Sequence, residues 1–142
     1  VLSGGAGNDW IRDVLGRGRL SGGSGNDTLI AGDANDTLNG GAGSDLMQGG
    51  AGADIFVFAT SISLDRSRDV ITDFGNGDDA LYFRGLGLKY IGDAEFSAAR
   101  QIRCTTDGTD STLQIDLNGD GRVDLTILLQ NYASVTRDDF LL

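Results

Sequence analysis

The sequence predicts an all-β fold of stacked short strands, and three observations carry that prediction. All 21 acidic residues are Asp except Glu95. Asp competes with the helical backbone and favours caps and turns, whereas Glu sustains helices, so an acid content built from Asp excludes a helical bundle. Glycine occurs 23 times and proline never, which supplies many positions able to take positive φ. Finally, a nine-residue period runs from residue 4 to residue 57 without insertion, and its eighth position is always apolar.

The six repeats read GGAGNDWIR (4–12), DVLGRGRLS (13–21), GGSGNDTLI (22–30), AGDANDTLN (31–39), GGAGSDLMQ (40–48) and GGAGADIFV (49–57). Position eight holds Ile11, Leu20, Leu29, Leu38, Met47 and Phe56. Run backwards, the frame puts Leu2 at the same place, so Val1-Leu2-Ser3 reads as the end of an earlier repeat and more chain is expected upstream. The glycines of each repeat allow a tight turn and keep Cβ atoms away from a bound ion, and position six adds a carboxylate. Positions seven to nine form a very short strand whose middle side chain faces inward. Two repeats make one coil, and stacked coils give two facing parallel sheets. Turns of odd repeats then line one edge and turns of even repeats the other. Each edge is a ladder of carboxylates and turn carbonyls, hard oxygen ligands that suit Ca2+ and not Zn2+. A flexible Gly/Asp/Ser linker would not keep an apolar residue at every ninth position.

Repeats one, three, five and six resemble the G-G-x-G-x-D-x-U-x nonapeptide of the RTX family, a calcium-binding parallel β-roll. The resemblance implies a calcium-ligand set drawn from Gly4, Gly5, Gly7 and Asp9; Gly22, Gly23, Gly25 and Asp27; Gly32, Asp33 and Asp36; Gly40, Gly41, Gly43 and Asp45; and Gly49, Gly50, Gly52 and Asp54. Repeat two departs from the pattern, with Gly18 where the Asp belongs and Arg17 and Arg19 around it. The calcium site between it and repeat four is expected to be weak or absent. Either an Arg guanidinium partly replaces the ion opposite Asp36, or both arginines are simply solvated. Two good sites are expected on the odd edge and one on the even edge. The outward positions of the odd sheet, Trp10, Ile30 and Leu46, are too apolar to stay wet without reason. They read either as a docking surface or as a face covered by the chain's own C-terminal segment.

From residue 58 the nine-residue period gives way to a mixed composition, read as a second layer that caps the last coil, with strands at 69–73, 80–83, 112–117, 123–129 and 140–142. The expected division is thus a roll over 1–57 and a β-rich capping and secretion-signal region over 58–142. The segment Asp69-Val70-Ile71-Thr72-Asp73-Phe74-Gly75-Asn76-Gly77-Asp78-Asp79 is similar to the stretch that follows the roll in serralysin-type metalloproteases, which implies Asp69, Asp73 and Asp79 as further ligands. The carboxylate that the serralysin pattern carries next falls on Tyr82. Asp116-Leu117-Asn118-Gly119-Asp120-Gly121-Arg122-Val123-Asp124 begins like an EF-hand loop, with oxygen side chains at Asp116, Asn118, Asp120 and Asp124. Its twelfth position is Ile127 and its flanks alternate as strands, so it reads as a calcium hairpin or as a metal-free hairpin closed by Asn-Gly and Asp-Gly. The ending Asp138-Asp139-Phe140-Leu141-Leu142 resembles the terminal motif of type I secretion substrates. Residues 84–111 carry no motif, and Cys104 reads as a small buried apolar residue.

The chain has no His. Zinc-protease motifs, Ser-His-Asp triads and Cys-His pairs are therefore excluded within it, and no P-loop or nucleophile elbow is present. A net charge of −10 argues against nucleic acid as a partner. No run of eighteen apolar residues occurs, so membrane insertion is not expected. The reading is a monomeric, non-catalytic, calcium-binding C-terminal module of a larger bacterial secreted protein, a hydrolase such as a serralysin-like metalloprotease. It folds on extracellular Ca2+, holds about five ions, and has the upstream domain and the type I secretion apparatus as partners. The alternative is a calcium-dependent polysaccharide-binding or adhesive module, as in mannuronan epimerase R-modules, with Trp10 and Arg12 as the sugar-facing residues.

Overall fold

The computed structural model describes residues 1–59, 66–75 and 77–142. The repeats fold as their period dictates. Strands β1 (Leu2–Ala6), β3 (Arg19–Ser24), β5 (Thr37–Ala42) and β7 (Ile55–Ala59) alternate along the chain with β2 (Trp10–Arg12), β4 (Thr28–Ile30) and β6 (Leu46–Gln48). Each strand pairs in parallel with the one two repeats later, Leu20 with Leu38 and Leu29 with Met47, so the eighteen-residue coil is built in perfect register. This is an all-β parallel roll, with a single 3₁₀ turn at Arg137–Asp139 among the described residues. Position eight points between the sheets: Leu20, Leu29, Leu38, Met47 and Phe56 are all buried. Each such rung removes enough apolar surface to contribute about 1.5–3 kcal/mol.

The chain after residue 57 continues the sheets of the roll. Strands β8 (Arg68–Ile71), β9 (Ala80–Arg84), β10 (Lys89–Tyr90), β11 (Gln101–Thr106), β12 (Ser111–Asp116), β13 (Leu125–Leu129) and β14 (Phe140–Leu141) extend the same two sheets edgewise. One sheet has six strands in the order β1-β3-β5-β7-β9-β14, and the other has eight in the order β10-β11-β12-β13-β8-β6-β4-β2. Nor does the repeat stop at 57. Ile71 pairs beside Met47 and Leu81 beside Phe56, both fully buried, so Ile71 and Leu81 are position-eight residues of two further degenerate repeats. The register simply lengthens to steps of 24 and 25 residues, because extra chain is spliced in between. Beyond β8 the sheet turns antiparallel through β13, β12 and β11, and the alternation of buried Leu113, Ile115, Leu125, Ile127 and Leu129 continues the core. Phe83, Phe140 and Tyr90 close its end, with centroids 6.1 Å and 4.9 Å apart in successive pairs.

Candidate metal centre

The position-six aspartates form two hydrogen-bonded ladders. On the odd edge the N–H of Asp9 donates to Asp27 Oδ1 at 2.8 Å, that of Asp27 to Asp45 Oδ1 at 2.8 Å, and that of Asp45 to Asp69 Oδ1 at 2.9 Å. On the even edge Gly18 donates to Asp36 Oδ1 at 2.5 Å, Asp36 to Asp54 at 2.8 Å, and Asp54 to Asp79 at 2.8 Å. One oxygen of every rung carboxylate after Asp9 is thereby bonded to the previous coil. The Oδ2 atoms of Asp9, Asp27 and Asp54 are buried with no hydrogen-bond partner, a costly arrangement for a charged group unless a cation completes it.

Glycine makes room for that second oxygen. A Cβ added at position one, at Gly4, Gly22, Gly40 or Gly49, would collide with Oδ2 of the Asp in the same repeat. Where position one is Ala31 or Phe74, Oδ2 turns instead to the position-two N–H, of Gly32 for Asp36 at 3.3 Å and of Gly75 for Asp79 at 2.9 Å. At positions two and four, Gly23, Gly25, Gly41 and Gly43 have φ between 107° and 120°, and a Cβ on any of them would run into the carbonyl oxygen of Gly5, Gly7, Gly23 or Gly25 of the preceding coil. These carbonyls therefore point at the next coil, and beside Gly22 the Asp27 Oδ2 and the Gly40 carbonyl oxygen stand together, the kind of donor a hard cation takes. Among the described residues no three acidic side chains form one cluster, as expected of ladders that carry one carboxylate per turn.

The remaining predicted residues fall into place unevenly. Asp69 and Asp79 are rungs of the ladders. Asp73 caps the start of a turn, its two oxygens accepting from the N–H groups of Gly49 at 3.0 Å and Gly50 at 2.8 Å. Asp33 stands exposed, and Gly52 takes φ 121° against Ala34. In the β12–β13 connection, buried Asp116 accepts from Gly119 at 2.6 Å and Gly121 at 2.9 Å, Asn118 from Asp120 at 2.8 Å, Asp120 from Arg122 at 2.8 Å, and Asp124 from Leu117 at 2.8 Å. The loop is folded around its own carboxylates. Of the two alternatives for Arg17 and Arg19, both side chains are exposed, and the Asp36 carboxylate accepts from the Gly18 and Gly32 N–H groups. The ion pair found among the described residues joins Arg103 to Glu95. Trp10 is 70% exposed, left uncovered by the described residues of the C-terminal segment, and with Arg12, Ile30 and Gln48 it lines an open groove of about 490 Å³.

Sequence reasoning missed a second ladder at position five, running opposite to the first. Asn8 Oδ1 accepts from the Asn26 N–H at 2.8 Å, Asn26 from Ser44 at 2.9 Å, Ser44 Oγ from Arg68 at 3.0 Å, and Asn35 from Ala53 at 3.0 Å. The recurrence of Asn before Asp at 8, 26 and 35 was its only signal. Asp54 shows the electrostatic cost of the arrangement. Burial foremost, then the carboxylates of Asp79, Asp36 and Asp73, push its pKa up to about 6 against the opposing pull of the Asp36 N–H.

Residues 1–12 and 19–56 match the family model of the RTX calcium-binding nonapeptide repeat, in four copies. No curated protein sequence matches the chain. Among solved structures, the chain is similar to the AlgE6R3 subunit of the Azotobacter vinelandii mannuronan C5-epimerase, with 29% identity, a TM-score of 0.68, and coverage of 97% of this chain and 80% of that one. The AlgE6R2 subunit of the same epimerase is 26% identical, with a TM-score of 0.68 and coverage of 100% and 91%.

Proposed function

We propose that the chain, whose residues 1–12 and 19–56 match the RTX calcium-binding nonapeptide repeat, is a calcium-folded, non-catalytic module of a larger bacterial secreted protein. The buried, unpartnered Oδ2 atoms of Asp9, Asp27 and Asp54 carry this reading. In these three carboxylates Oδ2 is left without a hydrogen bond, and the carbonyls of Gly5, Gly7, Gly23 and Gly25 point at the glycines of the next coil. Residues 4–9, 22–27, 31–36, 40–45 and 49–54, together with Asp69, Asp73 and Asp79, would hold ions at the edges, and Asp116, Asn118, Asp120 and Asp124 one more in the hairpin connection. On the order of five divalent ions would offset the charge of −10. Bound calcium supplies positive charge between the rungs and a hard centre for the turn carbonyls. With no cation, the stacked carboxylates repel and the glycines retain a large chain entropy, so the chain favours an open state suited to the type I secretion apparatus. In extracellular calcium, binding free energy becomes folding free energy. Residues 58–142 cap the roll, and Asp138-Asp139-Phe140-Leu141-Leu142 is the secretion signal. Far-UV circular dichroism through a calcium titration and chelation tests the reading. A β-spectrum should appear with calcium and vanish on its removal, and a spectrum indifferent to stripped calcium would contradict it.

A second reading, a surface for an acidic polysaccharide, is favoured by the distribution of charge. The only acidic residues in the eight-stranded sheet, Asp69 and Asp116, are buried. The strands of its outer side therefore bear Arg12, Arg68 and Lys89, with Arg103 paired to Glu95, and no exposed carboxylate, although the chain is strongly acidic. The similar structures belong to an epimerase of mannuronan, a polyuronate, which supports a polysaccharide-modifying enzyme as the parent beside a serralysin-like protease. Calorimetric titration with uronate oligomers in calcium should give binding that Trp10→Ala or Arg12→Ala weakens at least several-fold. No heat above dilution would remove this reading.

A further inference from the structure

Repeat two, 13–21, has Gly18 at position six and Asp13 at position one, the reverse of the consensus. We propose that Asp13 takes over the missing position-six carboxylate, so that the even edge keeps a calcium site between the turns 13–18 and 31–36. The proposal rests on the calcium reading above. In repeats one, three, five and six, Oδ2 of the position-six Asp presses on the position-one glycine. In repeat two the same two positions touch with their residues exchanged. A Cβ placed on Gly18 would stand 2.7 Å from Asp13 Oδ2 and 3.4 Å from its Cγ. The carboxylate enters the turn from the opposite end and arrives beside the same backbone position.

The backbone hydrogen bonds of the rung are kept, although position two is Val14 in place of glycine and Asp36 Oδ2 accepts from the Gly32 N–H at 3.3 Å. The Gly18 N–H donates to Asp36 Oδ1 and the Gly18 carbonyl accepts from the Thr37 N–H at 3.1 Å. Asp9 makes the equivalent pair with Asp27 Oδ1 at 2.8 Å and the Thr28 N–H at 2.8 Å. Asp13 is held from both ends, its N–H donating to the Ile30 carbonyl at 2.9 Å and its Oδ1 accepting from the Leu15 N–H at 3.2 Å. That leaves Oδ2 against buried Gly18. The contact also explains why position six is glycine here: an aspartate side chain at that position and the Asp13 carboxylate would compete for one space, so the turn accommodates a single carboxylate, from either end. Arg17 and Arg19 are exposed and leave that space to Asp13.

Calcium counted by equilibrium dialysis on the 142-residue chain, beside its circular dichroism in saturating calcium, tests the proposal. Asp13→Asn retains an acceptor for the Leu15 N–H but loses the charge. It should bind one ion fewer than the wild type while keeping its β-spectrum. An unchanged count at unchanged affinity would show that Asp13 only shapes the turn, and would overturn the proposal. The exchange D13G/G18D restores the consensus order and decides the case even if Asp13→Asn does not fold. A count equal to the wild type supports the proposal, because one site has merely been rebuilt, whereas one extra ion overturns it, because the wild type then lacked the site. Wild-type chain that binds no calcium at all defeats the underlying calcium reading as well, an outcome distinct from both.

Discussion

Gly5 and Gly41 occupy the same position in their repeats, with φ of 104° and 107°, yet their surroundings differ. A Cβ on Gly41 would strike the Gly23 carbonyl, while one on Gly5 meets nothing within 4 Å because it lies on the first described coil. Alanine at Gly5 thus incurs only the strain of a left-handed backbone, about 1–2 kcal/mol. Alanine at Gly41 must also force nested turns away from each other, so about 3–5 kcal/mol is expected when overpacking is added. Urea unfolding of both variants in saturating calcium measures the difference, and equal losses would show that the turns do not depend on close nesting. The need for glycine at these positions was legible in the bare G-G-x-G pattern. The Asn ladder at position five and the reversed Asp13–Gly18 pair were not. A pattern records which residue stands at a position, and says nothing of a side chain reaching the same space from the other end of a six-residue turn.

Between single residues and the whole chain stand the strands, and here the sequence was read well where the period is strict and poorly where chain is inserted. The even spacing to residue 57 led directly to β2 through β7. Beyond it, strands were foreseen at 69–73 and 80–83, but the 24- and 25-residue steps hid that Asp69-Val70-Ile71 and Asp79-Ala80-Leu81 repeat the Asp-x-apolar core of every earlier repeat that has its position-six Asp. Strands β10 and β11 escaped because Lys89–Tyr90 is only two residues long and Gln101–Thr106 buries Gln101 beside Ile102 and half-buries Cys104, which blurs the alternation. The β12–β13 hairpin was foreseen from its alternating flanks, and its connection invites a direct measurement. Asp120 is exposed and accepts one N–H, from Arg122, so Asp120→Ala removes little that holds the hairpin. If the connection binds an ion, the variant should bind one fewer, with its thermal midpoint in calcium lowered by no more than a few degrees. An unchanged count removes the connection as a calcium site.

For the whole molecule, the charge of −10 and the burial of its rungs make stability depend on protons as well as on calcium. Asp54 is fully buried between the rungs of Asp36 and Asp79, and its pKa rises from 3.8 to about 6. A carboxyl whose pKa is higher folded than unfolded binds its proton more tightly in the folded state. Its contribution is complete below pH 3.8 and is lost as pH rises through 6. Asp107 shifts the other way, held down first by the Asp110 N–H, so its contribution is present throughout that window and is lost only as pH falls below it. A calcium-free chain should therefore gain β-structure as pH falls from about 7 to about 4, followed by far-UV circular dichroism after exhaustive dialysis. Calcium affinity should fall over the same interval, since proton and ion compete for one buried carboxylate. Asp54→Asn, permanently uncharged, should flatten the first dependence. A calcium-free chain that loses structure on mild acidification would mean that its ladder carboxylates are satisfied without either cation.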